Sequence, residues 1–74
     1  MTLREAVEGK EYIIKQVNID DSELKAFLFS LGLYSGETIT VIARRKSGAT
    51  VSVKDARYSV DKQLEEAVIV CELV

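Results

Sequence analysis

The residues with the chemistry to build a site are few and poorly grouped. Carboxylates cluster at Asp20, Asp21 and Glu23 and again at Glu65 and Glu66, one cysteine stands at Cys71, and the 74 residues contain no histidine. Ordinary zinc or iron sites draw on several His, Cys or closely placed carboxylates, so no tight transition-metal site is expected. The first acidic group has the spacing of a helix start and the second that of a solvated helical turn, and both read as such. Cys71 lies in the run AVIVCELV without a base to activate it, which makes it a structural cysteine and not a nucleophile. The four isolated glycines form no phosphate-binding loop, so any nucleotide chemistry would belong to a partner. No catalytic, cofactor or metal residues are assigned, and the chain reads as a non-enzyme that works by binding.

Charge narrows what it binds. The net charge of −2 offers no general attraction to phosphate backbones or anionic lipids. The one basic group, Arg44, Arg45 and Lys46, falls at the expected tip of a hairpin and reads as a solvated turn. No run approaches the ~20 apolar residues of a membrane span, and the charged start MTLREAVEGKE lacks an export segment, so the chain is expected in the cytoplasm. A single cysteine fits that reducing compartment. A chain of this length buries only about 60% of its unfolded surface, enough for one core and one domain over residues 1–74.

The elements that position these residues follow from pattern. Thr2 and Glu5 have capping-box spacing around a short first turn. Glu11 to Asn18 is rich in β-branched and aromatic residues and forms a first strand. Either Tyr12 and Ile14 or Ile13 and Val17 face its core side, and a bulge satisfies both sets. Asp20, Asp21 and Ser22 compete to cap a helix on which Leu24, Phe27, Leu28 and Leu31 recur at i, i+3, i+4 and i+7, its expected docking face on the core. Gly32 ends that helix in a left-handed conformation, and Leu33 folds back onto Leu28.

From Glu37 the period becomes two, with Ile39, Val41 and Ala43 inward and Thr38, Thr40, Ile42 and Arg44 outward. A turn at Lys46, Ser47 and Gly48 leads to a strand with Val51 and Val53 inward. A second turn at Asp55 and Ala56 precedes a short strand, Arg57 to Val60, with Tyr58 and Val60 inward. Asp61 caps one helical turn, Lys62 to Glu66, whose Leu64 points to the core, and Ala67 to Leu73 is the last strand. With no crossover helix among the last four strands the sheet is antiparallel. The expected fold is a small SH3-like barrel of about five strands with a helix inserted after the first.

The stretch SLGLYSG followed by ETITVIARR, the hairpin at Ser47 and Gly48, VSVK, and ARYSVDKQLEEAVIV resembles the FeoA family of small ferrous-iron transport accessory proteins over nearly the whole chain. The family pattern is similar to L-x-x-L-G-L-x-P-G before a strand. Leu28, Leu31, Gly32, Leu33 and Gly36 match it, and Ser35 takes the proline position. Ser59 and Val60 stand at a usual Ala-Leu, and Glu65 at a usual alanine. The Ser35 substitution restores a free N–H and removes a fixed φ, so this turn is expected to be looser.

The resemblance implies an SH3-like barrel in a cytosolic protein acting on FeoB, a membrane ferrous-iron transporter with a GTPase domain. The alternative it implies is a stand-alone regulatory or peptide-binding module, like the C-terminal domain of iron-dependent repressors of the DtxR type. Two readings of the helix exit stay open. Phe29 packs on the N-terminal turn or Tyr34, or else Phe29, Leu33 and Tyr34 form an apolar spot for a partner or a second copy of the chain.

Overall fold

A computed structural model describes residues 1–73. Its order is a 3-10 turn (Leu3–Glu5), β1 (Glu11–Val17), α1 (Ser22–Leu31), β2 (Thr38–Arg45), β3 (Gly48–Val53), β4 (Ala56–Asp61), α2 (Lys62–Ala67) and β5 (Val68–Glu72). The five strands make one antiparallel sheet in the order β4-β3-β2-β1-β5. The sheet curls without joining its edges; α2 packs between β4 and β5 and against the 3-10 turn, which closes one end of the barrel. This is the expected SH3-like architecture, with the helix inserted after the first strand. No helix of the described residues is long and apolar enough to cross a membrane.

The inner faces of the strands fill the core with Tyr12, Ile14, Ile39, Val41, Val51, Val53, Val68 and Val70, all buried, and Leu3 closes it from the 3-10 turn. The Tyr12 hydroxyl accepts a hydrogen bond from the Val7 N–H at 2.9 Å, so the largest core residue keeps its polar atom satisfied. A bulge between Ile14 and Gln16 lets Tyr12, Ile14 and Val17 all reach the core, leaving Ile13 half-buried.

A second bulge, between Val41 and Ala43, corrects the reading of β2. The extra residue reverses the alternation, so Ala43 is exposed and Arg44, opposite the buried Ala49, turns inward. Arg44 then pairs with Glu65, which is not solvated, as its spacing suggests, but fully buried at 0% exposure. The Glu65 carboxylate is held on one oxygen by Arg4 at 2.9 Å and on the other by Arg44, which also donates to the carbonyls of Ala6 at 2.8 Å and Leu3 at 3.2 Å. One buried acid thus ties the 3-10 turn, β2 and α2 together. The hairpin tip is correspondingly not a basic cluster, since Arg45 donates to the hydroxyls of Thr50 and Ser59.

The capping box forms as expected, with the Thr2 N–H donating to the Glu5 carboxylate at 2.7 Å. That bond holds the Glu5 carboxyl below its usual range. The Asp61 side chain caps α2 through the Leu64 N–H at 2.7 Å. The β3–β4 turn lies one residue earlier than read, at Lys54 and Asp55, whose φ values of +50° and +64° define a two-residue type I′ turn. The turn at Ser35 is pinned to β1, with the Gly36 N–H donating to Ile14 O at 2.8 Å and the Ile14 N–H to Glu37 O at 2.9 Å. Ser35 itself is exposed between these bonds.

Candidate functional site

Helix α1 is fixed at its two ends and little between. Asp21, rather than Asp20, is its cap, with one carboxylate oxygen accepting the N–H groups of Glu23 at 3.0 Å and Leu24 at 3.1 Å. At the other end Gly32 adopts φ +105°, and the Leu33 N–H reaches back to Leu28 O at 2.9 Å in a Schellman ending. A Cβ built on Gly32 would lie 2.9 Å from a Val53 methyl, so the helix exit rests against the end of β3. Leu28 and Leu33 carry that contact into the core, at 4% and 2% exposure.

Half of the expected docking face meets the core: Leu31 packs against it beside Leu28, while Leu24 and Phe27 do not. Leu28 alone among the ten helical residues is buried; Leu24 is 43% and Phe27 58% exposed, and Leu31 is half-buried. The buried core is built mainly from strand residues, and α1 adds only Leu28 to it, with Leu31 packed on its margin. Leu24, Phe27 and Leu31 instead form one wall of an open groove, with Tyr58 and Val60 of β4 and Leu64 of α2 opposite. The groove encloses about 690 Å³, and its rim carries Asp20, Asp21 and Asp61.

The opposite side of α1 holds a smaller hollow of about 190 Å³, where Phe29 and Tyr34 meet beside Lys15 and Lys25. The two rings lie 4.6 Å apart, centroid to centroid, tilted by 35°, so Phe29 does pack on Tyr34. Phe29 nonetheless stays 61% exposed. Leu33, the third residue of the expected spot, lies beneath the rings rather than at the surface. The Lys54 ammonium sits 5.7 Å above the Tyr34 ring and 3.2 Å from Glu37. Hydrogen bonding to Tyr34, then to Glu37, raises Lys54 above its ordinary value, and the same lysine lowers Glu37.

Helix α1 therefore carries two apolar surfaces of opposite charged surroundings, an acid-rimmed groove and a lysine-flanked aromatic pair. The helix exit was legible in the sequence; the groove was not. Its signal was the surplus of apolar residues, since Leu24, Phe27, Leu28, Phe29 and Leu31 on ten positions exceed what one buried stripe takes up. Among the described residues no three His, Cys, Asp or Glu side chains are grouped to hold a metal ion.

Comparison with known proteins gives the same outline. The family model of the FeoA domain matches residues 1–71. The chain is 34% identical over 67 residues to a Helicobacter pylori protein assigned by name to Fe(2+) transport, transport protein A, covering 90% of this chain and 86% of that one. A crystal structure of an iron uptake regulatory protein, FeoA, superposes with a TM-score of 0.85 at 28% identity over 99% of this chain and 97% of the other. Stenotrophomonas maltophilia FeoA, crystallised with zinc and described as a procaryotic SH3 domain protein, superposes with a TM-score of 0.81 at 21% identity over 95% and 88% of the two chains.

Proposed function

This chain belongs to the FeoA family, and from that membership we propose that it is an accessory protein of ferrous iron transport that works in the cytoplasm. It acts without chemistry of its own, by binding the cytosolic side of a FeoB-type membrane transporter that carries the GTPase. The observation that supports contact as its mode of action is the exposure of large apolar groups on one element, with Leu24, Phe27 and Phe29 all on α1. Exposed apolar groups gathered on a single helix mark an interaction surface where scattered ones do not.

The proposed contact is the aromatic pair at the helix exit. Phe29 and Tyr34 are already stacked and Leu33 supports them from below, so little side-chain freedom is lost on binding. Tyrosine and other aromatic anchors of this kind dominate interface energies, and removing one typically weakens binding by tenfold or more. Binding of the purified chain to the cytosolic part of a FeoB-type transporter tests the reading. Phe29→Asp with Tyr34→Asp is expected to weaken it at least tenfold while the thermal midpoint of the chain changes little. Unchanged binding by a folded double variant, or no binding by the wild type, overturns it.

A further inference from the structure

We propose that the groove between α1 and β4 takes an extended apolar segment of a partner protein, flanked by Lys or Arg, that adds to the outer edge of β4 as another strand. This surface lies on the other side of α1 from the aromatic pair and goes beyond the transporter contact, on which it does not depend.

Three features define the occupant. The groove is lined by four consecutive residues of β4, Tyr58, Ser59, Val60 and Asp61. Neighbours on a strand point to opposite faces, so a cavity that touches all four meets the strand at its edge and not on a face. That edge is open, because β4 is the terminal strand of the sheet and pairs only with β3.

The register shows which groups it offers. The two-residue turn makes Val53 and Ala56 a hydrogen-bonded pair, and alternation then places Tyr58 with Val51 and Val60 with Ala49 in the ladder. The N–H and C=O groups of Arg57 and Ser59 therefore point away from β3, and the described residues supply them no backbone partner. An incoming strand satisfies them. Every second side chain of that strand then enters the groove between Phe27 and Leu31 on one side and Leu64 on the other. The volume of about 690 Å³ lies inside the range of roughly 300–1,000 Å³ typical of binding clefts.

The rim fixes the sign of the charge. Asp20, Asp21 and Asp61 line the groove with no lysine or arginine among its lining residues. Asp20 is exposed and is not used as a cap, the helix being capped by Asp21. A Lys- or Arg-flanked segment is attracted to this rim and an acidic one is repelled, an effect that salt weakens.

Selection of a displayed random-peptide library on the intact chain tests the proposal. Enriched peptides are expected to alternate apolar residues next to Lys or Arg and to perturb the amides of Arg57 to Asp61 in NMR titration. They are expected to bind roughly tenfold more weakly to Phe27→Asp. Asp20→Lys, which touches no hydrogen bond of the fold, is expected to weaken them severalfold, raised salt to do likewise, and N-methylation of alternate peptide amides to abolish binding. Binding to Phe29→Asp is expected to be unchanged. The proposal is overturned by enriched peptides that are acidic, proline-rich or helical in pattern, by binding that N-methylation or Phe27→Asp leaves intact, by loss in Phe29→Asp alone, by a selection that yields no binder, or by self-association of the chain through β4.

Discussion

Two regions of this small barrel, the Glu65 network and helix α1, are built on opposite terms. Where the 3-10 turn, β2 and α2 meet, one buried carboxylate is saturated by two arginines and fixes three segments distant in sequence. Along the groove, α1 makes its attachments at the cap, the Schellman exit, Leu28 and Leu31, and leaves Leu24, Phe27 and Phe29 largely uncovered. The first region keeps its polar groups inside and matched, and the second keeps apolar groups outside and unmatched. The Glu65 network takes no part in the two proposed surfaces, whereas the core residues Leu28, Leu33 and Val60 form their floor.

That contrast can be broken most forcefully at Glu65. Replacing it by alanine strands two arginine charges, and loss of one partner from a buried ion pair costs about 3–5 kcal/mol. A large fall in the denaturation midpoint is expected for Glu65→Ala, and a fall of a few degrees or less would mean that the pairing holds nothing together. Next comes Gly32→Ala. The left-handed backbone disfavours any side chain, and the new Cβ would press on Val53, so a loss of roughly 1–2 kcal/mol is expected, with faster exchange of the α1 amides.

Removing the cap in Asp21→Ala is expected to cost about 1 kcal/mol, read by the same denaturation series. Phe27→Asp and Phe29→Asp are expected to stay within about 0.5 kcal/mol of wild type, because both side chains are largely in water. A larger loss from either would show that α1 supports the core after all.

The smallest effects are those of pH on the surface pairs. Lys54 lowers Glu37, and Lys10 lowers Glu72 through their hydrogen bond. A carboxylate depressed in the folded state stabilises above its unfolded value, near 4.5, and that stabilisation is lost as pH falls through the folded value. Lys10 and Lys54 are raised, so their share is complete below their ordinary value of 10.5 and lost as pH rises through the folded one. A shallow plateau between these limits is expected in the midpoint-versus-pH curve, flattened by salt because the pairs are exposed.

Much of this was legible in the sequence because it is written in local spacing. The capping box at Thr2 and Glu5, the Gly32 stop, the bulge in β1 and the inward valines of β3 each rest on neighbours a few residues apart. What escaped depends on register. The bulge after Val41 leaves no mark in the alternation of ITVIARR, yet it alone turns Arg44 inward and so gives Glu65 a half-buried partner. A carboxylate on a short helical turn reads as solvated until the arginines that arrive from residues 4 and 44 are known. The groove escaped for a related reason. An apolar stripe shows that a face avoids water, but not whether this chain or another one covers it.

The central claim is that α1 is the binding element of the molecule. Its most direct test is amide NMR of the chain titrated with the cytosolic part of a FeoB-type transporter. Perturbations concentrated on Phe29, Leu33, Tyr34 and their neighbours in α1 are predicted, with the amides around Leu3, Arg44 and Glu65 unmoved. Perturbations centred on the Glu65 network, with α1 silent, would contradict the account.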